Sequence, residues 1–200
     1  MKKSSKSIFF LGLTAVLIIT GLVFSSCKNS DQSASSGQSS SSDQSVSSEN
    51  RFSDIGDGTV LDSSTGLIWL KNANAFALTN FPKGAEAIAA LKSGEAGLSD
   101  GSKAGDWRLP TKEELMSIID KRFTNPALSN AKGDAQWTEG DAFVKLEPMG
   151  FYWTSDASDN SKSADEPEDF GVCITMRTGF EHIANRGAYG YNAWPVRGKK

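Results

Sequence analysis

The chain has 200 residues, 38% of them hydrophobic and 22% charged, with a formal net charge of −3, one histidine and two cysteines. That supply excludes metal sites built from His and Cys clusters, and it leaves a hydrolytic triad only His182, which carries no flanking signature. The acidic balance argues against nucleic acid or another polyanion as the main partner.

Met1 to Ser26 reads as a targeting segment. Lys2, Lys3 and Lys6 form a positive start, and Ile8 to Phe24 is an apolar run broken only by Gly and Thr, slightly short for a comfortable membrane span. Phe24-Ser25-Ser26-Cys27 resembles a bacterial lipobox, although Phe24 stands where a leucine-like residue is usual. Cys27 is therefore the expected N-terminus of the mature chain, acylated with lipid such as palmitate; an uncleaved anchor helix and ordinary secretory cleavage are the alternatives. All three place the remainder outside the cytoplasm, in the cell envelope, with the outer membrane as the expected anchor. Removing the three signal lysines leaves 18 basic against 24 acidic residues, a net charge of −6.

From Asn29 to Asn50, serine supplies 11 of 22 residues and Val46 is the single large aliphatic. Such a stretch buries too little apolar surface to offset its chain entropy, so residues 27–50 are expected to be a disordered tether. Its root-mean-square span as a flexible coil is roughly 25 to 30 Å.

Residues 51–200 are long enough for one domain with a core of its own, and with Cys27 lipidated no disulfide can form with Cys173. The domain opens with two turn signals, Asp57-Gly58 and Ser63-Ser64-Thr65-Gly66, flanking the β-prone run Thr59 to Leu61 and preceding the apolar strand Leu67 to Leu70. Asp54, Asp57 and Asp62 lack an EF-hand spacing and read as turn caps. Pro82 to Lys92 predicts a helix with Ala85, Ile88, Ala89 and Leu91 on its apolar face, and Ser93 to Gly105 is a Gly/Ser-rich loop.

The best-specified stretch is Asp106-Trp-Arg-Leu-Pro-Thr-Lys-Glu-Glu-Leu115. Thr111 and Glu114 have the spacing of a capping box, Pro110 biases Leu109 toward extended backbone, and Leu115, Ile118 and Ile119 predict a second helix running to about Asp120. Trp107 and Leu109 share one side of the extended approach and Arg108 the other. Arg108 either pairs with a carboxylate of the domain or presents its fork to a ligand; the acidic composition favours the internal pair.

Beyond this helix the pattern weakens. Trp137-Thr138 reads as a short strand or as a lid over the core. Phe151 to Ser155 is an aromatic strand, Ala157 to Asp169 an acidic polar loop, and Phe170 to Arg177 alternates as a half-buried strand in which Cys173 is a small core hydrophobe. Tyr189 to Arg197 closes the sheet, Pro195 marking an edge or an end.

Four motifs in order, Asp54 to Trp69, Trp107 to Leu115, Phe151 to Ser155 and Pro195 to Gly198, resemble the DUF1566 family, which includes the C-terminal domain of the Legionella collagen-like adhesin. The resemblance covers about residues 51–198. It implies an α+β domain of the C-type-lectin-like kind, with short antiparallel strands and two helices, related in fold to the formylglycine-generating enzymes. The copper chemistry of those enzymes needs a cysteine pair, and this chain offers only Cys173, so the resemblance implies no catalysis and no cofactor. Calcium-dependent lectins carry Glu-Pro-Asn and Trp-Asn-Asp motifs; Glu147-Pro-Met and Glu166-Pro-Glu echo only the first, so that metal-borne sugar site does not transfer.

The expectation is a lipid-anchored envelope protein, not an enzyme, whose domain serves as an adhesion or ligand-binding module for a protein or glycan. The alternatives are a structural envelope protein with a protein partner, or an enzyme with an unrecognised carboxylate site. Arg108, Trp137, Tyr152, Tyr189 and Tyr191 are the candidate contact residues, with core or edge packing as the competing role of each aromatic. The same resemblance allows a homo-oligomer, although collagen-like repeats that would align three chains are missing.

Overall fold

A computed structural model describes residues 50–158 and 169–198. The targeting segment, Cys27, the tether to residue 49 and most of the acidic loop lie outside the described residues.

Among the described residues, nine strands and two short helices follow one another as β1 (Phe52–Asp54), β2 (Thr59–Asp62), β3 (Ile68–Leu70), β4 (Phe76–Thr79), α1 (Phe81–Ala90), α2 (Lys112–Ser117), β5 (Phe151–Ala157), β6 (Phe170–Thr175), β7 (Glu181–Asn185), β8 (Tyr191–Ala193) and β9 (Val196–Arg197). They form a four-stranded sheet ordered β1-β2-β3-β9 and a five-stranded sheet ordered β4-β8-β5-β6-β7. All pairings are antiparallel except β5 with β8.

The opening hairpins form as their turn chemistry dictates. Asp54 accepts from the Gly56 amide, Asp57 from the amide and hydroxyl of Thr59, and Asp62 from the amide and hydroxyl of Ser64 and the hydroxyl of Thr65. Each carboxylate is thus a local turn cap.

Helix α1 starts one residue before the expected Pro82. Asn80 is its N-cap, accepting from the Lys83 amide, and the helix ends at Ala90, before the expected Lys92. Helix α2 is shorter than its apolar pattern suggests. It ends at Ser117, because Ile119 donates to Met116 in a tightened last turn and pairs with Leu128 instead of extending the helix.

The capping box is complete. Thr111 Oγ1 accepts from the Glu114 amide at 3.2 Å, and Glu114 Oε2 accepts from the Thr111 amide at 2.8 Å. Arg108 joins it from the side, with Nη1 and Nη2 donating to the two Glu114 oxygens at 2.6 Å each. This fork holds the Glu114 carboxyl below its ordinary value; burial pushes the other way and the Thr111 amide assists the lowering. The stretch also joins two parts of the domain: Arg108 exchanges both backbone hydrogen bonds with Val196 in β9, and the Ser155 amide of β5 donates to Pro110.

Two expectations change. Strand β6 is buried throughout Gly171 to Ile174, not half-buried: it lies inside the sheet between β5 and β7, and α2 packs against it. Residues 189–197 do not close one sheet but are shared between both. Strand β8 lies inside the five-stranded sheet, β9 at the edge of the four-stranded one, and Trp194-Pro195 is the crossing.

Trp194 is fully buried at that crossing. Its indole Nε1 donates to Leu70 of β3 at 2.7 Å, and its ring meets Phe143 edge-on at 4.9 Å, Trp69 at 5.3 Å and Tyr152 at 5.8 Å. Beside it a second buried network links Trp107 Nε1 to Ser102, Ser102 to Asp100, and Asp100 to Arg197 at 2.9 Å. Burial alone would raise the Asp100 carboxyl; the Ser102 donors and the Arg197 charge outweigh it and hold it below its ordinary value.

Trp194→Ala should cost about 3–5 kcal/mol, the range for a large buried aromatic that leaves a cavity and an unmet acceptor, and chemical denaturation checks it. The Arg108 pair has a pH signature. Because the folded Glu114 pKa is depressed, its contribution is present above the ordinary carboxylate value and is lost as pH falls through the lowered one. Arg108→Ala should lower stability by about 0.5–1 kcal/mol at neutral pH, reflecting a half-exposed bidentate pair, and the difference from the parent should shrink in acid. A difference that is flat with pH would contradict this assignment.

Candidate functional site

Strands β5 and β8 run parallel and touch through the single pair Tyr152 and Asn192. Their N-terminal ends, Gly150-Phe151 and Gly190-Tyr191, therefore open side by side. A cavity of about 360 Å³ lies there, bounded also by Asn74, Leu78 and Glu147. That volume falls within the range of small-ligand sites.

Strand alternation supplies the aromatic wall. Phe151 and Trp153 project to one side of β5, and Tyr152 to the other. On the Phe151 side, Trp153 is buried beneath α1, where Phe81 meets it edge-on at 5.8 Å. The rest of this side stays open. Phe151 contacts Tyr191 and His182, both at 5.0 Å, and Tyr189 stacks on Tyr191 at 5.9 Å with 12° between the ring planes. Burial, with Cys173 and Tyr189 adjacent, raises the Tyr191 phenol above its ordinary value, so the ring keeps its proton in neutral solution.

Polar groups enter from three segments. Asn192 is buried at 3% exposure, and its Oδ1 accepts from the Leu78 amide in a long 3.4 Å contact. Asn74 Oδ1 is buried with no hydrogen-bond partner. Glu147 is fixed through its backbone, whose amide donates to the Tyr152 hydroxyl at 2.9 Å.

Two glycines allow these approaches. A Cβ at Gly150 would come within 2.6 Å of Asn192 Nδ2 and 2.9 Å of Glu147 Cγ, and one at Gly190 would meet the Leu78 carbonyl oxygen at 2.9 Å. Leu78 has φ of +46°, a conformation that costs a non-glycine residue energy, at the register irregularity between β4 and β8. Its side chain is 78% exposed, and Met149 and Tyr189, also on segments around the cavity, are 60% and 53% exposed.

Of the contact residues expected from sequence, Tyr189 and Tyr191 come together here. Tyr152 does not present a surface: it is fully buried, on the opposite side of β5 against Trp194, and burial raises its phenol well above the ordinary value. Trp137 is likewise inside, at 7% exposure, its indole donating to the Phe143 carbonyl at 3.2 Å and its backbone amide to Leu128. These two are corrected to core residues. Arg108 lies elsewhere, engaged by Glu114 and partly exposed. Sequence reasoning missed Asn74, Leu78, Phe151 and Asn192 as site residues. The only local signal was the spacing Tyr189-Gly-Tyr-Asn192, which sets two aromatics and an amide on one strand entry.

Cys173 is part of the wall's foundation. It is fully buried between Trp153 and His182, its thiol donates to the His182 carbonyl at 3.2 Å, and burial, with Glu181 adding, pushes its pKa up to about 12. Among the described residues no group of three His, Cys, Asp or Glu side chains is placed to hold a metal ion.

No curated protein and no solved structure matched the chain. A family model did, over residues 58–197, a span that runs from β2 to β9 and so contains the whole aromatic cavity. That model describes the Lcl C-terminal domain, the C-terminal domain of the Legionella collagen-like adhesin, and this chain belongs to that family.

Proposed function

We propose that the chain is a lipid-anchored envelope protein whose domain binds a ligand through the aromatic face around Tyr189 and Tyr191, as an adhesion module rather than an enzyme. The observation that carries this reading is the open half of the Phe151 side of the five-stranded sheet, where stacked tyrosines adjoin a cavity with polar walls. Rigid aromatics present large contact area with little rotamer entropy to lose, which is why they dominate binding energies at interfaces. Family membership supports an adhesin-related role, and the four sequence motifs support a C-type-lectin-like arrangement of the two sheets.

Anchoring follows from the apolar run and the Ser25-Ser26-Cys27 boundary. Each buried methylene adds about 0.8 kcal/mol, so a multiply acylated cysteine holds a domain stably on a membrane.

Cells displaying the full-length chain, tested for attachment to protein-coated and glycan-coated surfaces, should lose on the order of tenfold or more in attachment on Tyr189→Ala. Stability should move by less than about 0.5 kcal/mol, because the ring is surface-placed. Unchanged attachment, with capture of an envelope protein by the same chain, would favour a structural envelope role. Separately, Cys27→Ala should release the protein from the detergent phase and remove the mobility shift of the acyl chains; retention with unaltered mobility would refute lipidation.

A further inference from the structure

We infer that the cavity at the N-terminal ends of β5 and β8 is a metal-independent subsite for an uncharged pyranose ring. The inference rests on the binding role proposed above and specifies the chemistry of its ligand.

A pyranose has two kinds of surface. Its ring C–H groups make an apolar face, and its hydroxyls at the rim each donate and accept. The cavity has both complements. Phe151 and Tyr191, their rings tilted by 34° to each other, supply an apolar wall, and the exposed Leu78 side chain adds to it. An aromatic face carries partial negative charge, so it attracts the weakly positive C–H groups as well as excluding water from them.

The rim is polar and incompletely bonded. Asn74 Oδ1 is buried without a donor, a state that costs free energy unless something completes it. Asn192 is 97% buried, the complement of its 3% exposure. Its Oδ1 accepts from the Leu78 amide in a long 3.4 Å contact, and its Nδ2 stands beside Gly150 at the cavity wall. Glu147 adds carboxylate oxygens that accept from paired hydroxyls.

The charge pattern selects among sugars. Glu147 is the one ionisable acid or base on the cavity wall apart from the Tyr191 phenol, and the domain as a whole is acidic. A sulfated or uronic sugar would meet repulsion with no cation to offset it. A bridging metal is not supplied either, since a single carboxylate with two amides falls short of a calcium cage of six to eight oxygens.

The test uses the full-length chain in a sugar-free zwitterionic detergent, with methyl glucoside, methyl galactoside, methyl mannoside and N-acetylglucosamine as probes, read by saturation-transfer NMR and calorimetry. At least one probe should bind, with affinity unchanged within twofold by EDTA. Asn74→Ala and Tyr191→Ala should each weaken it at least tenfold, and Tyr191→Phe, which keeps the ring and its packing on Trp153, should retain it within threefold. Three results would each overturn the inference: affinity abolished by EDTA, affinity indifferent to Asn74→Ala and to Tyr191→Ala in folded protein, or tighter binding of glucuronate or a sulfated hexose than of any neutral probe. If no sugar binds while Tyr189-dependent attachment to protein-coated surfaces persists, the pyranose subsite is wrong and the binding module stands. Loss of both would remove the module as well.

Discussion

Trp194 holds two sheets that share almost no ladder hydrogen bonds. The chain leaves the five-stranded sheet at Ala193 and enters the four-stranded sheet at Val196, so the two residues between must turn the backbone while staying inside the core. Proline at 195 suits the turn, since its missing N–H requires no acceptor there, and its carbonyl accepts from the Leu70 amide. The Trp194 ring then fills the space between the sheets, against Trp69 on one side and Tyr152 on the other. A smaller residue would leave both rings and the Leu70 carbonyl without partners.

From that packing the site follows. Fixing Tyr152 inward against Trp194 fixes Phe151 and Trp153 on the other side of β5, by the two-residue period of a strand. Helix α1 is too short to cover all of that side. It reaches Trp153 through Phe81, and the cation-π contact of Arg186 over the Phe81 ring at 4.0 Å closes that end. The uncovered remainder is the tyrosine ledge. Tyr152 contributes again through its hydroxyl, which takes the Glu147 amide and so sets the cavity's acidic rim from within the core.

What was legible in the sequence is what depends on neighbours in the chain. The capping box, the aspartate-capped turns and the first hairpin need only residues two to five apart, and they form as the side-chain chemistry requires. The internal fate of Arg108 was readable from composition, although its partner proved to be the capping glutamate itself. Residues 118–150 were opaque because their order is not periodic: Asn130 Oδ1 accepts from three successive amides at 133–135, and Gln136 bridges the carbonyls of Thr124 and Pro126. Side-chain bonds replace a ladder there, yet Leu128, Trp137, Phe143 and Leu146 are all buried. Tyr152 and Tyr191 looked alike as contacts, since both lie on short aromatic strands. Only the position of Trp194, 42 residues beyond the first, decides which ring faces inward, and no local pattern carries that information. The cavity was hidden for the same reason, as Asn74, Glu147 and Asn192 meet only after β4, β5 and β8 pair.

The order of strands also sets a path for mechanical load. A tug on Tyr191 enters β8 and travels along the covalent chain through Trp194 and Pro195 into β9, then sideways across β3 and β2 to β1, where the described chain begins at Asn50. The joint between β9 and β3 is only two residue pairs long, which would make it the weak link in such a series. It is braced on both flanks, by the Leu70 amide on Pro195 and by the paired backbone bonds between Arg108 and Val196. The Trp107 to Pro110 segment thus acts as a splint on the far side of β9, and strain arriving there is spread into the capped start of α2 instead of being concentrated on a single rung.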